Sequence, residues 1–327
     1  MGPASMMARR LARFAGLVCL VVVLNFFIPR ALPGGPLGGG GGPDAPLLPA
    51  ASRRALLATY RLDAPLSGQF VDYLTAVARG DLGRSLVSYR PVSAIVAERL
   101  PWTLFLVGGA VVMAACLGGL LGWASAQRRP RRLVAPAFAT VIGIGMLPEF
   151  LVAMILIVSL ASSRRVFPAG GALTPFAAAG TGLPHLLADI VWHAALPGLV
   201  LVMALLPPFA LLVRNAIIPV LGERYLVAAQ AKGLPPRRIA WHALRSALPP
   251  VVTLLGLRLA AAVGGAAVVE RIFAYPGMGL LLYDAVGARD YPVLQGVVFV
   301  SSLAVLTMNF FLDVLAARLD PRVVGTP

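Results

Sequence analysis

The sequence is poor in charged residues, and this scarcity excludes most classes of soluble protein. Only 13% of the 327 residues are charged, whereas 59% are hydrophobic and the mean hydropathy is +0.85. Soluble domains carry about 25% charged and about 45–50% apolar residues. So large an excess of apolar side chains has no place in a water-soluble core, and it excludes a disordered chain as well. We therefore expect a polytopic membrane protein.

Cysteine, histidine and acidic residues are also scarce, which excludes several kinds of chemistry. The chain has two cysteines, three histidines and 13 acidic residues. Cys19 and Cys116 both fall inside apolar runs, so we expect neither a disulfide framework nor a metal site. The sequence contains no GxxxxGK[ST] phosphate loop, no HExxH and no GxSxG. We expect no catalytic residue and no cofactor bound by this chain itself.

The 28 basic residues give a net charge of +15, which in a soluble chain would suggest binding to nucleic acid. Here the basic residues lie mostly between apolar runs, where they orient membrane spans and contact lipid headgroups. We therefore expect membrane lipid as a partner and no nucleic acid.

Six apolar segments predict an all-α fold with six transmembrane helices. Each segment is almost free of charged residues and can cross about 30 Å of hydrocarbon as a helix. The short loop QRRPRRL, residues 127–133, carries four arginines and is therefore expected in the cytoplasm. This places both termini in the cytoplasm and residues 34–99 outside. The predicted spans lie within residues 14–29, 100–127, 134–161, 189–214, 248–269 and 290–313.

These spans divide the chain into four predicted parts. Residues 1–33 form a cytoplasmic N-terminus and the first span, and residues 321–327 form a C-terminal tail. Residues 34–101 form an extracytoplasmic segment with a glycine-rich linker and small amphipathic helices. Residues 102–320 form a core of five spans that contains the cytoplasmic loop 214–247.

The loop 214–247 has the pattern of a short helix–turn–helix. Residues 225–232 favour a helix, Gly233 ends it, and Pro235 suits the start of a second helix. We expect Pro249 and Pro250 to mark the start of the fifth span. Small residues on the first helix allow another surface to approach closely. Two interpretations remain: an interfacial loop held to anionic lipid by its arginines, or a docking surface for a cytoplasmic partner.

The same loop resembles a known family. The pattern AAxxxG (Ala228, Ala229, Gly233), followed by HALRSALPP at residues 242–250, is similar to the signature loop of binding-protein-dependent ABC importer permeases. The dipeptide, oligopeptide and nickel class is the most similar. Further similarity lies in GDLGRS (80–85), RLPWTL (99–104), the stretch 268–298 and LDPR (319–322). Val227 departs from the pattern, since the family's signature has glutamate there. A second departure is Pro33-Gly34-Gly35-Pro36, where the family has Pro-Gly-Asp-Pro.

The resemblance implies a permease subunit in a bacterial inner or plasma membrane, with the ABC importer permease fold. Such a chain pairs with a second homologous permease around the translocation path, with two ATP-binding subunits below and a solute-binding protein on the outer face. ATP and Mg would be used by the partner subunits. Dipeptides or oligopeptides are the expected substrates, with nickel chelates or glutathione as alternatives.

The resemblance also implies two groups of site residues. The first is a coupling loop that would sit in a groove of an ATPase: Tyr225, Ala228, Ala229, Lys232, Gly233 and His242. The second is an extracytoplasmic motif: Glu270, Phe273, Pro276, Gly277, Gly279, Arg289, Asp290 and Tyr291.

Two charged residues fall inside predicted spans. Arg258 lies in the fifth span and Glu149 in the third, where a charge is costly unless it faces a partner, water or a path. Either Arg258 faces the translocation path near a substrate carboxylate, or it forms a structural pair with Glu149. A self-sufficient secondary transporter is a less favoured alternative, since it would need more ionisable residues along the spans.

Overall fold

The computed structural model describes residues 3–31, 65–126, 132, 134–175 and 182–319, and these ranges are almost entirely helical. The one extended pairing in that part of the chain is a bridge between Arg84 and Pro91. The predicted glycine-rich linker, most of the loop 127–133 and the C-terminal tail lie outside these residues. The α-helices there are α1 (Pro3–Ala31), α2 (Leu66–Ala78), α3 (Val92–Thr103), α4 (Gly109–Ala126), α5 (Val134–Ile144), α6 (Glu149–Leu156), α7 (Leu183–Val220), α8 (Arg224–Ala231), α9 (Pro236–Ala262), α10 (Ala267–Ile272), α11 (Met278–Gly287) and α12 (Tyr291–Leu319).

In the described part of the chain, two π-helical segments interrupt the apolar helices. The first, Leu104–Gly108, joins α3 to α4 without a break, and the second, Ile157–Ser163, continues α6. Within the described residues, four single helices are long and apolar enough to cross a membrane, and a bent pair of helices would be a fifth span, which confirms a polytopic helical membrane protein. The four single helices are Met7–Arg30, Val92–Ala126, Leu183–Val220 and Tyr291–Val314.

The third predicted span is a bent pair of helices rather than one rod. Val134–Ile144 and Glu149–Ser163 meet at an angle of 104°. Pro148 lies at the break, and a proline disfavours the helical conformation of the residue before it. Gly145 allows the bend to pack closely on α7, since a Cβ there would overlap the ring of Pro207.

The apolar part of the fifth predicted span, residues 248–269, begins at Leu248 as predicted but ends at Ala262, and its helix starts earlier, at Pro236. Helix α9 continues through Pro249 and Pro250, so the second helix of the loop and the span are one element. Prolines are tolerated in membrane helices when other groups satisfy the freed backbone atoms. At the other end, α9 stops at Ala262 because Gly265 adopts φ +79°. Leu248–Ala262 is therefore a short apolar helix, and residue 269 belongs to α10.

Helices α4 and α7 form the tightest packing in the described chain. A Cβ at Gly118 would lie 2.7 Å from the carbonyl oxygen of Leu206, and one at Gly122 would overlap the carbonyl of Ala210. Such a small-xxx-small spacing lets two membrane helices approach backbone to backbone. Phe209 is fully buried beside this contact.

Helix α1 is attached to α12 by polar contacts as well as by packing. The Asn25 amide donates to the carbonyl oxygen of Gln295 at 2.9 Å, and the Gln295 amide donates to that of Asn25 at 2.9 Å. Nearby, Asn25 also donates to the hydroxyl of Tyr73 on α2 at 3.1 Å. Burial raises the pKa of the Tyr73 hydroxyl. These contacts hold α1 and α2 together at the predicted outer end of the first span.

Candidate functional site

The two groups of predicted site residues lie at opposite ends of α9. The end that is predicted to be cytoplasmic carries the predicted coupling loop, whose first helix is α8. The outer end leads directly into α10 and α11. We refer to residues 263–291 as the outer lobe. One helix therefore connects the predicted cytoplasmic and extracytoplasmic sites.

The coupling loop has the predicted helix–turn–helix geometry. The amide of Lys232 donates to the carbonyl of Ala228 at 3.0 Å in the last turn of α8. Gly233 then adopts φ +73°, the left-handed conformation that glycine adopts without a steric penalty. Pro235, in an extended conformation, precedes the first residue of α9.

Among the described side chains of α8, one is buried and several are exposed. Leu226 is fully buried, whereas Tyr225 is 48% exposed and Ala228 and Lys232 are exposed. Positions 225, 228 and 232 share one face of a helix by their spacing. Of the remaining predicted residues, Gly233 and His242 are exposed, and the side chain of Ala229 is outside the described part of the chain. The described residues of the loop thus offer an exposed surface of mixed polarity.

The outer lobe is organised around the buried carboxylate of Glu270, which is 0% exposed. Its Oε1 accepts a hydrogen bond from the hydroxyl of Thr103 at 3.0 Å and one from the amide of Ala266 at 3.3 Å. Its Oε2 accepts one from the amide of Leu280 at 2.9 Å. Thr103 in turn accepts a hydrogen bond from the amide of Met278 at 2.6 Å. The carboxylate therefore joins α3, α10 and α11.

The glycines of the motif make room for this carboxylate. A Cβ at Gly277 would overlap the carboxylate of Glu270 itself. A Cβ at Gly279 would lie 2.6 Å from the amide nitrogen of Ala267. Glycine is needed at these two motif positions for a steric reason, since α10 and α11 contact each other through their backbones.

Phe273, Tyr275 and Pro276 form the turn between α10 and α11. Phe273 and Tyr275 are buried, and the amide of Gly277 donates to the carbonyl of Tyr275 across Pro276 at 2.7 Å. The ring of Trp102 meets that of Tyr275 edge-on at 6.1 Å. Burial, with the nearby carboxylate of Glu270 as a smaller cause, raises the pKa of the Tyr275 hydroxyl to about 12. That hydroxyl is neutral in any physiological buffer.

A second buried carboxylate, Asp290, fastens the other end of the outer lobe. It accepts hydrogen bonds from the hydroxyl of Ser85 and from the amides of Leu86 and Val87, the last at 3.4 Å. The flanking Arg289 and Tyr291 are half-buried, and Arg289 adopts φ +54°. Asp290 therefore holds the loop 80–91 against the start of α12.

Sequence reasoning missed the two hydroxyls that contact these carboxylates. Thr103 lies 167 positions from Glu270, and Ser85 lies 205 positions from Asp290. Both hydroxyls belong to stretches that carried the resemblance, RLPWTL and GDLGRS. For Thr103 the available signal was a hydroxyl among apolar neighbours, whereas Ser85 follows the charged Arg84 and gave no comparable signal.

The two charges inside predicted spans are not brought together. Glu149 is exposed at the first turn of α6, and Arg258 is half-buried on α9. Within the residues that the structure describes, neither has an ion-pair partner, so the alternative of a Glu149–Arg258 pair is not formed. An apolar cleft of about 840 Å³ lies against α9, where it is lined by Leu259 and Ala260, the two residues that follow Arg258 along the chain. Its lining consists of Leu104, Gly108, Gly109, Val112, Met113, Leu259, Ala260, Val263, Ala304 and Met308.

Known proteins resemble this chain over nearly its whole length. The glutathione transport system permease protein GsiC of Salmonella typhimurium is 37% identical, over 96% of this chain and 97% of the relative. The oligopeptide transport system permease protein AppB of Bacillus subtilis is 33% identical, over 93% and 94%. The dipeptide transport system permease protein DppB of Bacillus subtilis is 32% identical, over 97% of each chain.

The protein family described as "Binding-protein-dependent transport system inner membrane component" matches residues 90–325. The match begins near the start of α3, earlier than the predicted core boundary at residue 102. It covers the coupling loop, the outer lobe and the apolar cleft, and it confirms an inner-membrane transport subunit. Together with the relatives, it shows that the chain belongs to the family of inner membrane components of binding-protein-dependent transport systems.

Proposed function

We propose that this chain is one of two permease subunits of an ATP-driven importer for short peptides. The observation that carries the proposal is the match over nearly the full chain to permeases named for dipeptides, oligopeptides and glutathione. Glutathione is itself a short peptide, so these names have one substrate class in common. A solute-binding protein would deliver the peptide to the outer face, and two ATPase subunits would bind on the cytoplasmic side.

The exposed face of α8 supports the cytoplasmic contact. We propose that Tyr225, Ala228 and Lys232 enter a groove of an ATPase subunit and that Gly233 sets the turn behind them. Leu226 is buried, and α8 leads through this turn into α9, which runs to the outer lobe. A displacement of α8 would therefore move α9 and, with it, the outer lobe. ATP and Mg would be bound and used by the ATPase, and this chain would respond by switching between two conformations.

Replacing Ala228 with tryptophan is expected to release the ATPases while the two permeases stay together. Ala228 is exposed, so the bulky side chain disturbs a partner and not the fold. The measurement is a mild-detergent pull-down of the tagged chain from its native membrane, with subunits quantified by mass spectrometry. Val286→Trp, at a position 57% exposed in the outer lobe, is the matched control and should retain the ATPases. Recovery of the wild-type chain alone, or only with itself, would contradict the proposed function.

For Arg258 we propose a position on the translocation path, near the carboxylate of a passing peptide. The arginine is half-buried and its neighbours Leu259 and Ala260 line the apolar cleft. Arg258→Gln is expected to slow ATP-dependent uptake of a labelled tripeptide by about tenfold, as for loss of a charged hydrogen bond. Uptake of the same peptide with an amidated C-terminus should change little.

The same assay tests the substrate class and the role of Glu149. Competition by unlabelled dipeptide, oligopeptide, glutathione and a nickel chelate ranks the candidate substrates. We propose that Glu149 faces the path without pairing with Arg258. The variant Glu149→Gln, measured in the same uptake assay, tests this role. If Arg258→Gln left both the rate and the selectivity unchanged, the path-facing role would be refuted.

A further inference from the structure

We propose that Thr103 is a positioning residue of the transport cycle, which ties the outer lobe to the wall of the apolar cleft. The inference rests on the proposed function and concerns how the outer face controls the path. It assigns a role to a residue that lies in neither predicted site. Thr103 is 0% exposed, and it is the last residue of α3.

The hydroxyl of Thr103 makes two hydrogen bonds to the outer lobe. It donates to Glu270 Oε1 at 3.0 Å and accepts from the amide of Met278 at 2.6 Å. Glu270 lies on α10, and Met278 is the first residue of α11. The hydroxyl oxygen of Thr103 therefore connects the end of α3 to both helices of the outer lobe. It donates to α10 and accepts from α11.

The outer lobe itself is built to move as one body. Gly265, Gly277 and Gly279 bring α10 and α11 into backbone contact around Glu270, so the two helices cannot slide independently. Close-packed contacts of this kind transmit displacements and do not absorb them. A partner that pushes on the exposed surface of the outer lobe would therefore shift Glu270 and Met278 together.

The position of Thr103 decides what such a shift does. Directly after Thr103 the chain becomes π-helical, over Leu104–Gly108, and both Leu104 and Gly108 line the cleft. The lining also includes Ala260, near the end of α9, and Val263, the first residue of the outer lobe. A π-helical turn is a local irregularity that is frequent at functional sites. Leu104 and Gly108 are far from the outer lobe along the chain. Thr103 therefore links the outer lobe to the part of the cleft that these two residues line.

The test compares Thr103→Val with Thr103→Ser in the assembled transporter in proteoliposomes. Valine keeps the volume and loses both hydrogen bonds, whereas serine keeps the hydroxyl. For Thr103→Val we expect the maximal rate of uptake and the stimulation of ATPase activity by the binding protein to fall by about tenfold, the size expected for two lost buried hydrogen bonds. The basal ATPase rate, the half-saturating concentration of binding protein and the yield of complex should stay at their wild-type values. Thr103→Ser should restore most of the stimulation.

A distance measurement keeps the proposal falsifiable if Thr103→Val lowers the yield of complex. Spin labels at Val112→Cys and Met308→Cys, with Cys19 and Cys116 replaced by alanine, would report the width of the cleft. When binding protein and ATP are added, this distance should change in the labelled complex that keeps Thr103. It should not change in the labelled complex that carries Thr103→Val. The same distance change in both backgrounds, or equal defects in the serine and valine variants, would overturn the inference. A wild-type complex that assembles but shows no ATP-dependent peptide uptake would instead refute the proposed function.

Discussion

Replacing Gly122 with leucine is expected to prevent the chain from accumulating as a folded subunit. A Cβ at this position would overlap the carbonyl of Ala210 and lie 3.0 Å from Cβ of Val213, so α4 and α7 must separate. Overpacking by a few carbon atoms costs about 1–3 kcal/mol, and a backbone clash adds to that. The measurements are the membrane level of the tagged chain and the melting temperature of the complex in mild detergent.

The neighbouring glycine provides a matched control. Gly119 lies on the same helix, and within the described part of the chain a Cβ added there would meet no atom within 4 Å beyond the local backbone. Gly119→Leu adds the same side chain to α4 in open space and should leave the level and the melting temperature near the wild-type values. Equal loss in both variants would mean that leucine disturbs α4 itself, and the α4–α7 contact would not be the cause.

Removing the carboxylate of Glu270 is the second change with a large expected effect. In Glu270→Ala the amides of Ala266 and Leu280 and the hydroxyl of Thr103 lose their acceptor in a fully buried place. Each unsatisfied buried group costs about 1–3 kcal/mol, so we expect a loss of several kcal/mol and an unfolded outer lobe. Limited proteolysis of the purified complex, read by mass spectrometry, would locate the loss at residues 263–291.

Glu270→Gln separates the hydrogen bonds from the space that the side chain fills. Glutamine has the same size, but its amide group places donors where one or more donors already point, so an intermediate loss is expected. Glu98→Ala is the control for removal of a surface carboxylate, because Glu98 is exposed and pairs with the exposed Arg90. If Glu270→Ala were as resistant to protease as Glu98→Ala, the carboxylate would not organise the outer lobe.

The fold class and the helix–turn–helix of the coupling loop were predictable because their signals are local. An apolar stretch long enough to cross the membrane needs no tertiary partner to be recognised, and the turn at Gly233 follows from an individual residue. The same local reasoning failed at Pro249 and Pro250. Prolines predict an interruption, but α9 continues through both of them, as membrane helices can when other groups satisfy the freed backbone atoms.

The outer lobe shows the limit of reasoning from motifs. The sequence placed Glu270 and the glycines Gly277 and Gly279 in one motif, but it could not say that the glycines are small because the carboxylate and the backbone of α10 lie against them. Nor could it separate the two roles considered for Arg258. Within the described residues, the structure shows no ion pair between that arginine and Glu149, and it places the next two residues, Leu259 and Ala260, in the lining of the apolar cleft.

By itself, the sequence determined that this is a helical membrane protein, and it predicted how the spans are oriented and which loop meets a cytoplasmic partner. Composition, short-range periodicity and charge between spans carry that information, and none of them needs distant residues to meet. Only the tertiary structure decided that Thr103 contacts Glu270 and that Ser85 contacts Asp290, across separations of 167 and 205 positions. Such contacts depend on the packing of α3, α10 and α12, which brings residues far apart along the chain within hydrogen-bond distance.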